Sequence, residues 1–424
     1  MTRNLLADKA SRYTDNAGFL NRLARRLVLQ QLGGIRQGRL LISDGLGEQA
    51  FGQPEKSATV TAEIRVHDPD AWRDILTGGS IGAGEAYMSG DWSSPDLTRV
   101  VRVMVLNRDL VDSMDGGLAR LAKPFLKLLH RRNRNTEKGA RRNIAAHYDL
   151  GNEFFSLFLD PTMMYSAGIF PTGDATMEAA SRNKMDRICR KLELGAGDHL
   201  LEIGTGWGGL ALHAALHYGC RVTTTTISRE QYEYAREKIR EAGLEDRVTL
   251  LLKDYRALEG RYDKLVSVEM IEAVGWQYYP EFFRTCSRLL KPEGLALIQA
   301  ITIEDYRFER ARKDVDFIQR YIFPGSCIPS LEKLQAAMAT SSDLRLTSLE
   351  DITPHYATTL ARWREAFLRN QEAISALGYS PEFRRMWEFY LCYCEGGFHE
   401  RVIGDVQLTY AKPGNRSLPL TVAL

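Results

Sequence analysis

Leu201-Glu202-Ile203-Gly204-Thr205-Gly206-Trp207-Gly208-Gly209 joins a short apolar run, His199–Ile203, to a helical pattern over Gly209–Tyr218. A glycine-rich turn that leaves a strand and opens a helix is the context in which such a motif carries meaning. Its glycines let backbone approach a ligand with no Cβ in the way. Outward from the turn, helix and strand signals alternate. Helices are predicted over Asn183–Leu192, Glu230–Ala242 and Tyr279–Leu289, and strands over Arg221–Ile227, Val248–Leu252, Lys264–Val268 and Leu295–Ile301. That succession predicts an α/β fold, a Rossmann-like doubly wound and mostly parallel sheet.

Gly204, Gly206 and Gly209 satisfy G-x-G-x-x-G, so a dinucleotide is one candidate ligand. Such a site needs an acid about 20 residues on, at the tip of the second strand, to hold the ribose hydroxyls. Here Arg221–Ile227 runs into Ser228-Arg229-Glu230-Gln231 without a carboxylate at the tip. Glu202 instead precedes the turn in Glu-Ile-Gly-x-Gly, where a carboxylate orders the turn and the amino-acid end of S-adenosylmethionine (SAM). Asp254, after the third strand, suits a contact to the adenine amine. SAM is favoured, and with it a class I SAM-methyltransferase sheet. An NAD(P) enzyme and a non-catalytic fold are the alternatives.

The chain has 424 residues, 44% of them hydrophobic, which excludes overall disorder and leaves room for two or three domains. Six scattered cysteines exclude a disulfide scaffold, and the Cys392/Cys394 spacing fits neither a zinc knuckle nor a redox pair, so no metal is expected. The start, MTRNLLADKASRYTDN, lacks an apolar signal core, and no run of about 18 apolar residues occurs, so a reduced, cytoplasmic protein is expected.

The net charge of +2 hides an asymmetry: 23 basic and 17 acidic residues before position 150, against 33 and 37 after it. Nine Lys or Arg residues fall between Arg120 and Arg142 with one acid, Glu137. Three regions are therefore expected: a small N-terminal α+β domain (1–118), a basic linker (119–143), and a catalytic domain (144–424) with a helical insertion over about 305–400. The basic run offers a patch for phosphates. No aromatic residue lies between 126 and 146, so stacking on nucleic acid is disfavoured and a lipid surface is preferred. Within the first domain, Ala58–Val66 alternates like a half-buried strand, and Pro69–Asn107 reads as helical with breaks at Gly78-Gly79 and Gly82-Ala83-Gly84. In Phe19–Leu32, FLNRLARRLVLQQL, the stripe Phe19, Leu20, Leu23, Leu27 and Val28 has helical spacing, with Arg22, Arg25 and Arg26 largely off it. Either the stripe docks on a core, or the helix lies on anionic lipid.

HYDLGNEFFSLFLDPTMMYSAGIF (147–170), LEIGTGWGGLALHAA, TTISREQYEYA, DYRALEGRYDKLVSVEMIEAVG, QRYIFPGSCIPS, FYLCYCEGGF and GEAYMSGDW together resemble the cyclopropane-fatty-acyl-phospholipid synthase family, which includes mycolic acid cyclopropane synthases. The similarity extends over nearly the whole chain. It implies transfer of a methylene from SAM to the cis double bond of unsaturated acyl chains in membrane phospholipid. It also implies an N-terminal lipid-binding domain and peripheral attachment to the anionic inner face of the membrane; a homodimer is left open, and nucleic acid is not a partner. SAM contacts in the family map onto Tyr165 and Ser166, the Gly204/Gly206 turn with Glu202, Thr226 and Gln231, and Asp254–Tyr255.

The resemblance further implies a bound bicarbonate that takes the proton released on ring closure. Its holders map onto Glu272, Gln299, Tyr356, and the backbone amides of Ala167 and Ile301. Two positions depart from the family pattern: Ala167 stands where Cys is frequent, and Gln299 where His is common. Gln299 donates a hydrogen bond but carries no proton charge. Glu269, three residues before Glu272, has no assigned role. An alkene is a poor nucleophile, so the methyl donor must be held close in a dry site, and the resulting cation needs aromatic faces or a carboxylate. Tyr356, Tyr393, Phe398, Phe323 and Tyr321 are the aromatic stock, and core packing accounts for each equally well. Methylation without ring closure, or a small-molecule methyltransferase with a general base, are the rival activities.

Overall fold

The computed structural model describes residues 18–116 and 150–416. The basic run Arg120–Arg142 lies outside the described residues, as does the start of the motif at His147. The chain forms two compact units, residues 1–129 with 314–322 and 367–402, and residues 130–313 with 323–366 and 403–424. The helical region expected to belong wholly to the catalytic domain is thus divided. Segments 314–322 and 367–402 group with the N-terminal unit, and local packing explains why. On the helix Pro381–His399, Gly396 leaves space for Val101, whose Cγ1 would lie 2.6 Å from an added Cβ. Thr98 donates to Glu395 at 3.1 Å, and Arg102 pairs with Glu400 at 2.6 Å.

The N-terminal unit opens with helix α1 (Phe19–Leu32). Strands β1 (Arg39–Asp44), β2 (Gly47–Gly52), β3 (Thr61–Val66) and β4 (Trp92–Ser93) form a sheet in the order β2-β1-β3-β4, with β1 and β3 parallel. Helix α2 (Asp70–Ser89) runs through both predicted glycine breaks but kinks at Gly79, whose φ of 59° and ψ of −135° are open to glycine. There the Asp115 carboxylate accepts from the Ser80 amide at 2.8 Å. Helix α3 (Leu97–Leu106) begins at Asp96, whose side chain accepts from the Arg99 amide.

In α1, Asn21, Ala24, Val28, Leu29 and Leu32 are buried. Of the apolar stripe, only Val28 docks on the core; Phe19, Leu20, Leu23 and Leu27 are exposed, against the first of the two alternatives. Asn21 faces inward because its amide finds a partner in Asp70 at 2.8 Å.

The second unit holds helix α4 (Met177–Lys191), strand β5 (His199–Ile203), α5 (Gly209–Tyr218), β6 (Arg221–Thr226), α6 (Arg229–Glu241), β7 (Val248–Leu252), β8 (Tyr262–Val268), α7 (Tyr279–Leu289), β9 (Leu290–Ile303), β10 (Arg345–Asp351), α8 (Thr353–Arg369) and β11 (Ile403–Ala411). The seven strands lie in the order β10-β11-β9-β8-β5-β6-β7. β5 through β9 pair in parallel and β11 enters antiparallel between β9 and β10. Both faces are covered. Leu201, Leu265, Ile298 and Leu408 face one core, and Leu200, Val222, Val266 and Leu297 the other, as alternation along buried strands requires.

The strand order reverses between β5 and β8, where β5 leads to β6 on one side and β8 lies on the other. In open α/β sheets, ligands bind beyond the carboxyl ends of the strands at such a switch point. The glycine turn leaves β5 there, and Glu269 and Glu272 follow β8.

Candidate active site

The turn is held in an unusual backbone course. Gly204, Gly206 and Gly208 have φ of 103°, 53° and 92°, a region open to glycine, and a Cβ on Gly206 would meet nothing within 4 Å. The amides of Gly204 and Thr205 both donate to the Thr225 carbonyl, tying the turn to β6. Beneath it, Thr224 donates to Glu202 at 2.6 Å and its hydroxyl also contacts Thr205 at 2.7 Å. Burial pushes the Glu202 carboxyl up to about 8, against the opposing hydrogen bond from Thr224. The carboxyl therefore orders the turn from within the sheet.

At the tip of β6, Thr226 donates to the Gln231 side-chain oxygen at 2.9 Å, placing an amide where the sequence lacks an acid. Asp254 accepts from the Arg256 amide at 3.0 Å and from its guanidinium at 2.8 and 2.7 Å. Its carboxylate is therefore strongly tied to Arg256, a partner absent from the reading that gave it the adenine amine. Tyr255 is buried with its hydroxyl unpartnered. The Tyr165 ring lies in an aromatic set with Phe155 (5.3 Å between centroids), Trp363 (5.2 Å) and Trp207 (6.5 Å). Trp207 donates to Asn152 at 2.6 Å, and Ser166 accepts from Lys184 at 2.5 Å. These residues fit SAM: an open glycine turn, buried acceptors in Glu202 and Gln231, and aromatic faces suited to a sulfonium.

The two glutamates beyond β8 differ. Glu269 adopts φ of 47°, rare for a residue with a Cβ, and its amide donates to the Gln299 carbonyl at 2.9 Å. Its carboxylate accepts from the Ala167 amide at 2.9 Å, from the Gln299 side chain at 2.8 Å, and from the Tyr356 hydroxyl at 2.7 Å. Gln299 also donates to Asp405 at 2.9 Å. Strand register makes the cluster: Gln299 lies opposite Val268 of β8 on one side and Gln407 of β11 on the other, and Asp405 opposite Ile301. The Glu269 charge lies close enough to Asp405 to act on its carboxyl, whose second oxygen has no partner. Burial, and secondarily the Glu269 charge, raise Asp405 well above the usual carboxylate range. Burial also raises Glu269, against the nearby Lys184 cation and its three donors. Lys184 is itself fully buried and lowered by that burial.

Glu272, three residues on, receives one hydrogen bond, from the Ile301 amide at 2.5 Å, while its second oxygen has no partner. Burial, and secondarily the Glu269 charge, push its carboxyl up to about 8.

The five residues read together as bicarbonate holders are thus divided. Ile301 serves Glu272, whereas Ala167, Gln299 and Tyr356 serve Glu269. Glu269, Asp405 and Lys184 had no assigned role in the sequence reading; the signal available was a carboxylate directly after a buried strand at the sheet's carboxyl edge. The donors do not fit a second anion, since a carboxylate supplied by the chain already accepts from them. Of the aromatic stock, Tyr356 and Phe323 belong to this unit. Tyr321, Tyr393 and Phe398 belong to the N-terminal one, where Tyr321 donates to Glu85 and Tyr393 stacks on Phe389. Burial pushes the Cys394 thiol up, away from the reactive thiolate.

The sheet order, the glycine turn on its first strand and the buried acid beneath it define a class I SAM-dependent methyltransferase. The chain belongs to the mycolic acid cyclopropane synthetase family, whose profile matches residues 135–408. It is 40% identical over 408 residues to the tuberculostearic acid methyltransferase UfaA1 of Mycobacterium tuberculosis, covering 94% of this chain and 92% of that one. It is 38% identical over 355 residues to the cyclopropane-fatty-acyl-phospholipid synthase of Escherichia coli, covering 83% and 87%. The mycolic acid cyclopropane synthase CmaA1, in a structure complexed with SAH and CTAB, superposes with a TM-score of 0.60 at 32% identity, over 64% of this chain and 98% of that one.

Proposed function

We propose that this enzyme methylates the cis double bond of unsaturated acyl chains in membrane phospholipid and resolves the product by proton loss without bicarbonate, leaving a methyl or methylene branch in place of a ring. The observation that carries this reading is the Glu269 carboxylate, which takes the Ala167, Gln299 and Tyr356 donors that a bicarbonate would need. The 40% relative, named for methyl transfer, supports it, while the Escherichia coli relative is named for ring formation. Both are lipid enzymes by name, which supports an acyl substrate.

When bound, SAM supplies an electrophilic methyl on a sulfonium. Bond formation between an alkene carbon and that methyl, with loss of the carbon–sulfur bond, would leave the neighbouring acyl carbon cationic. The buried negative charge of Glu269 and the Tyr165, Trp207 and Trp363 faces favour that charge over the neutral alkene. Proton loss from a carbon beside the cation returns its C–H electron pair to a new double bond. The free oxygen of Glu272 is the acceptor for that proton.

Mass spectrometry of lipids from a host expressing the enzyme with labelled methionine tests the proposal. We expect a gain of one CH2 with the double bond retained, seen as uptake of hydrogen on mild reduction. A product that resists reduction and opens under acid is a cyclopropane and overturns it.

A further inference from the structure

We propose that α1 docks the enzyme on an anionic lipid bilayer. Phe19 is 79% exposed and Leu20 65%, with Leu23 and Leu27 at 43% and 37%. At about 100° per residue these four share one arc of the helix, opposite the face that Ala24, Val28 and Leu32 bury in the unit. Isolated apolar side chains on a surface need no explanation, but four on one helical stripe form a patch. Arg22 and Arg26 flank that arc and are exposed, and α1 contains no acid. Arg25 is engaged elsewhere, paired with Asp44 at 2.5 Å and lying over the Trp72 ring at 6.0 Å.

A helix with large apolar side chains on its outer face and arginines beside them matches the boundary between acyl chains and anionic headgroups. Headgroup phosphates supply the countercharge that Arg22 and Arg26 lack on α1 itself. Among the described residues no helix is long and apolar enough to cross a membrane. The inference rests on the acyl-lipid substrate of the proposed function and not on its branched product. Vesicle binding and product mass are separate readouts, so failure of one is distinguishable from failure of the other.

The test uses the full chain and co-sedimentation with vesicles of equal parts phosphatidylglycerol and phosphatidylcholine at low salt. Two variants, Leu23→Glu/Leu27→Glu and Arg22→Glu/Arg26→Glu, are each expected to lower the partition coefficient about tenfold or more. Both should keep the wild-type circular dichroism spectrum and act on detergent-dispersed phospholipid within about twofold of wild type, the scale on which exposed substitutions remote from a site act. Wild type should bind pure phosphatidylcholine vesicles weakly and lose anionic binding as salt rises. Undiminished sedimentation of either variant overturns the proposal. So does a change of oligomeric state by light scattering in the Leu23→Glu/Leu27→Glu variant, which would assign the stripe to a second copy. Binding that appears only after removal of residues 1–17 would assign it to the chain's own N-terminal segment, and equally overturns it.

Discussion

Glu269 and Glu272 lie three residues apart at the carboxyl edge of one sheet, yet the fold makes different instruments of them. Glu269 is surrounded by donors, an amide, a carboxamide and a phenol, with the buried Lys184 nearby. Burial raises its proton affinity, the donors and the Lys184 charge oppose that rise, and both of its oxygens are already occupied. Glu272 has one amide and a bare oxygen, so burial acts on it almost unopposed and its proton affinity rises. One holds charge and the other moves a proton. The general point is that sequence neighbours with the same side chain diverge in chemistry through the strands that face them.

The comparison breaks most readily at Glu272. Glu272→Gln removes the acceptor oxygen while keeping size and an oxygen for the Ile301 amide. We expect turnover to fall by about 10²–10⁴-fold, the range for loss of general-base catalysis, with SAM binding by calorimetry retained. The same assay across pH sharpens the assignment. Below about 8 the free enzyme's Glu272 holds its proton and has no capacity for another, so turnover should rise as pH passes through about 8. Folding stability should move the other way. The unfolded chain releases this proton near 4.5 and the folded one near 8, so the folded state loses stability as pH rises between those values. Glu202, raised to about 8 by burial, contributes in the same direction. Glu272→Gln should flatten its share of that slope and remove the kinetic limb. A profile unchanged in the variant would return Glu272 to a structural role.

Glu269→Gly tests the other partner. It deletes the built-in carboxylate, relieves the positive φ, and frees the Ala167, Gln299 and Tyr356 donors. We expect a loss of roughly 10- to 100-fold in turnover, consistent with removing a charge held by several hydrogen bonds of about 1.5–3 kcal/mol each, partly replaced by water. Added bicarbonate should restore part of the activity and shift the product toward a ring. If bicarbonate has no effect on rate or product, Glu269 does not stand in for the anion.

Why the sequence shows the sheet better than this cluster follows from how each is encoded. Val222, Leu265 and Ile298 belong to short buried runs whose period announces a strand, and the glycine turn has a local pattern. β10 leaves no local signal because it is an exposed edge strand, RLTSLED, without a buried face to set an alternation. The cluster depends on register. Nothing local in position 299 says that its carboxamide spans Glu269 and Asp405, 106 residues further on. The resemblance names Glu272 and Tyr356 together, but only the folded position of α8, which carries Tyr356, shows that its hydroxyl reaches Glu269. In α1 the helix was readable and its inward face was not, because Asn21 is buried by virtue of a partner, Asp70, that lies 49 residues away.

The finest test of the two-glutamate division is Tyr356→Phe. The phenol hydroxyl is one of several donors to Glu269, and Glu269 keeps the Ala167 amide and Gln299 when it is lost. A hydrogen bond to a charged group contributes about 1.5–3 kcal/mol, and its loss from a carboxylate that retains others belongs at the low end, about tenfold in turnover. If Tyr356 acts through Glu269, the effect should nearly vanish in a Glu269→Gly background, because the hydroxyl then has no carboxylate to hold. If Tyr356 instead serves only to pack the acyl pocket, Phe should be nearly silent in both backgrounds. An additive loss in the double variant would mean the hydroxyl touches the reacting chain itself. The cycle separates the charge-holding site from the proton-moving one, since Glu272 keeps its Ile301 contact in every variant and the alkaline rise in turnover should survive throughout.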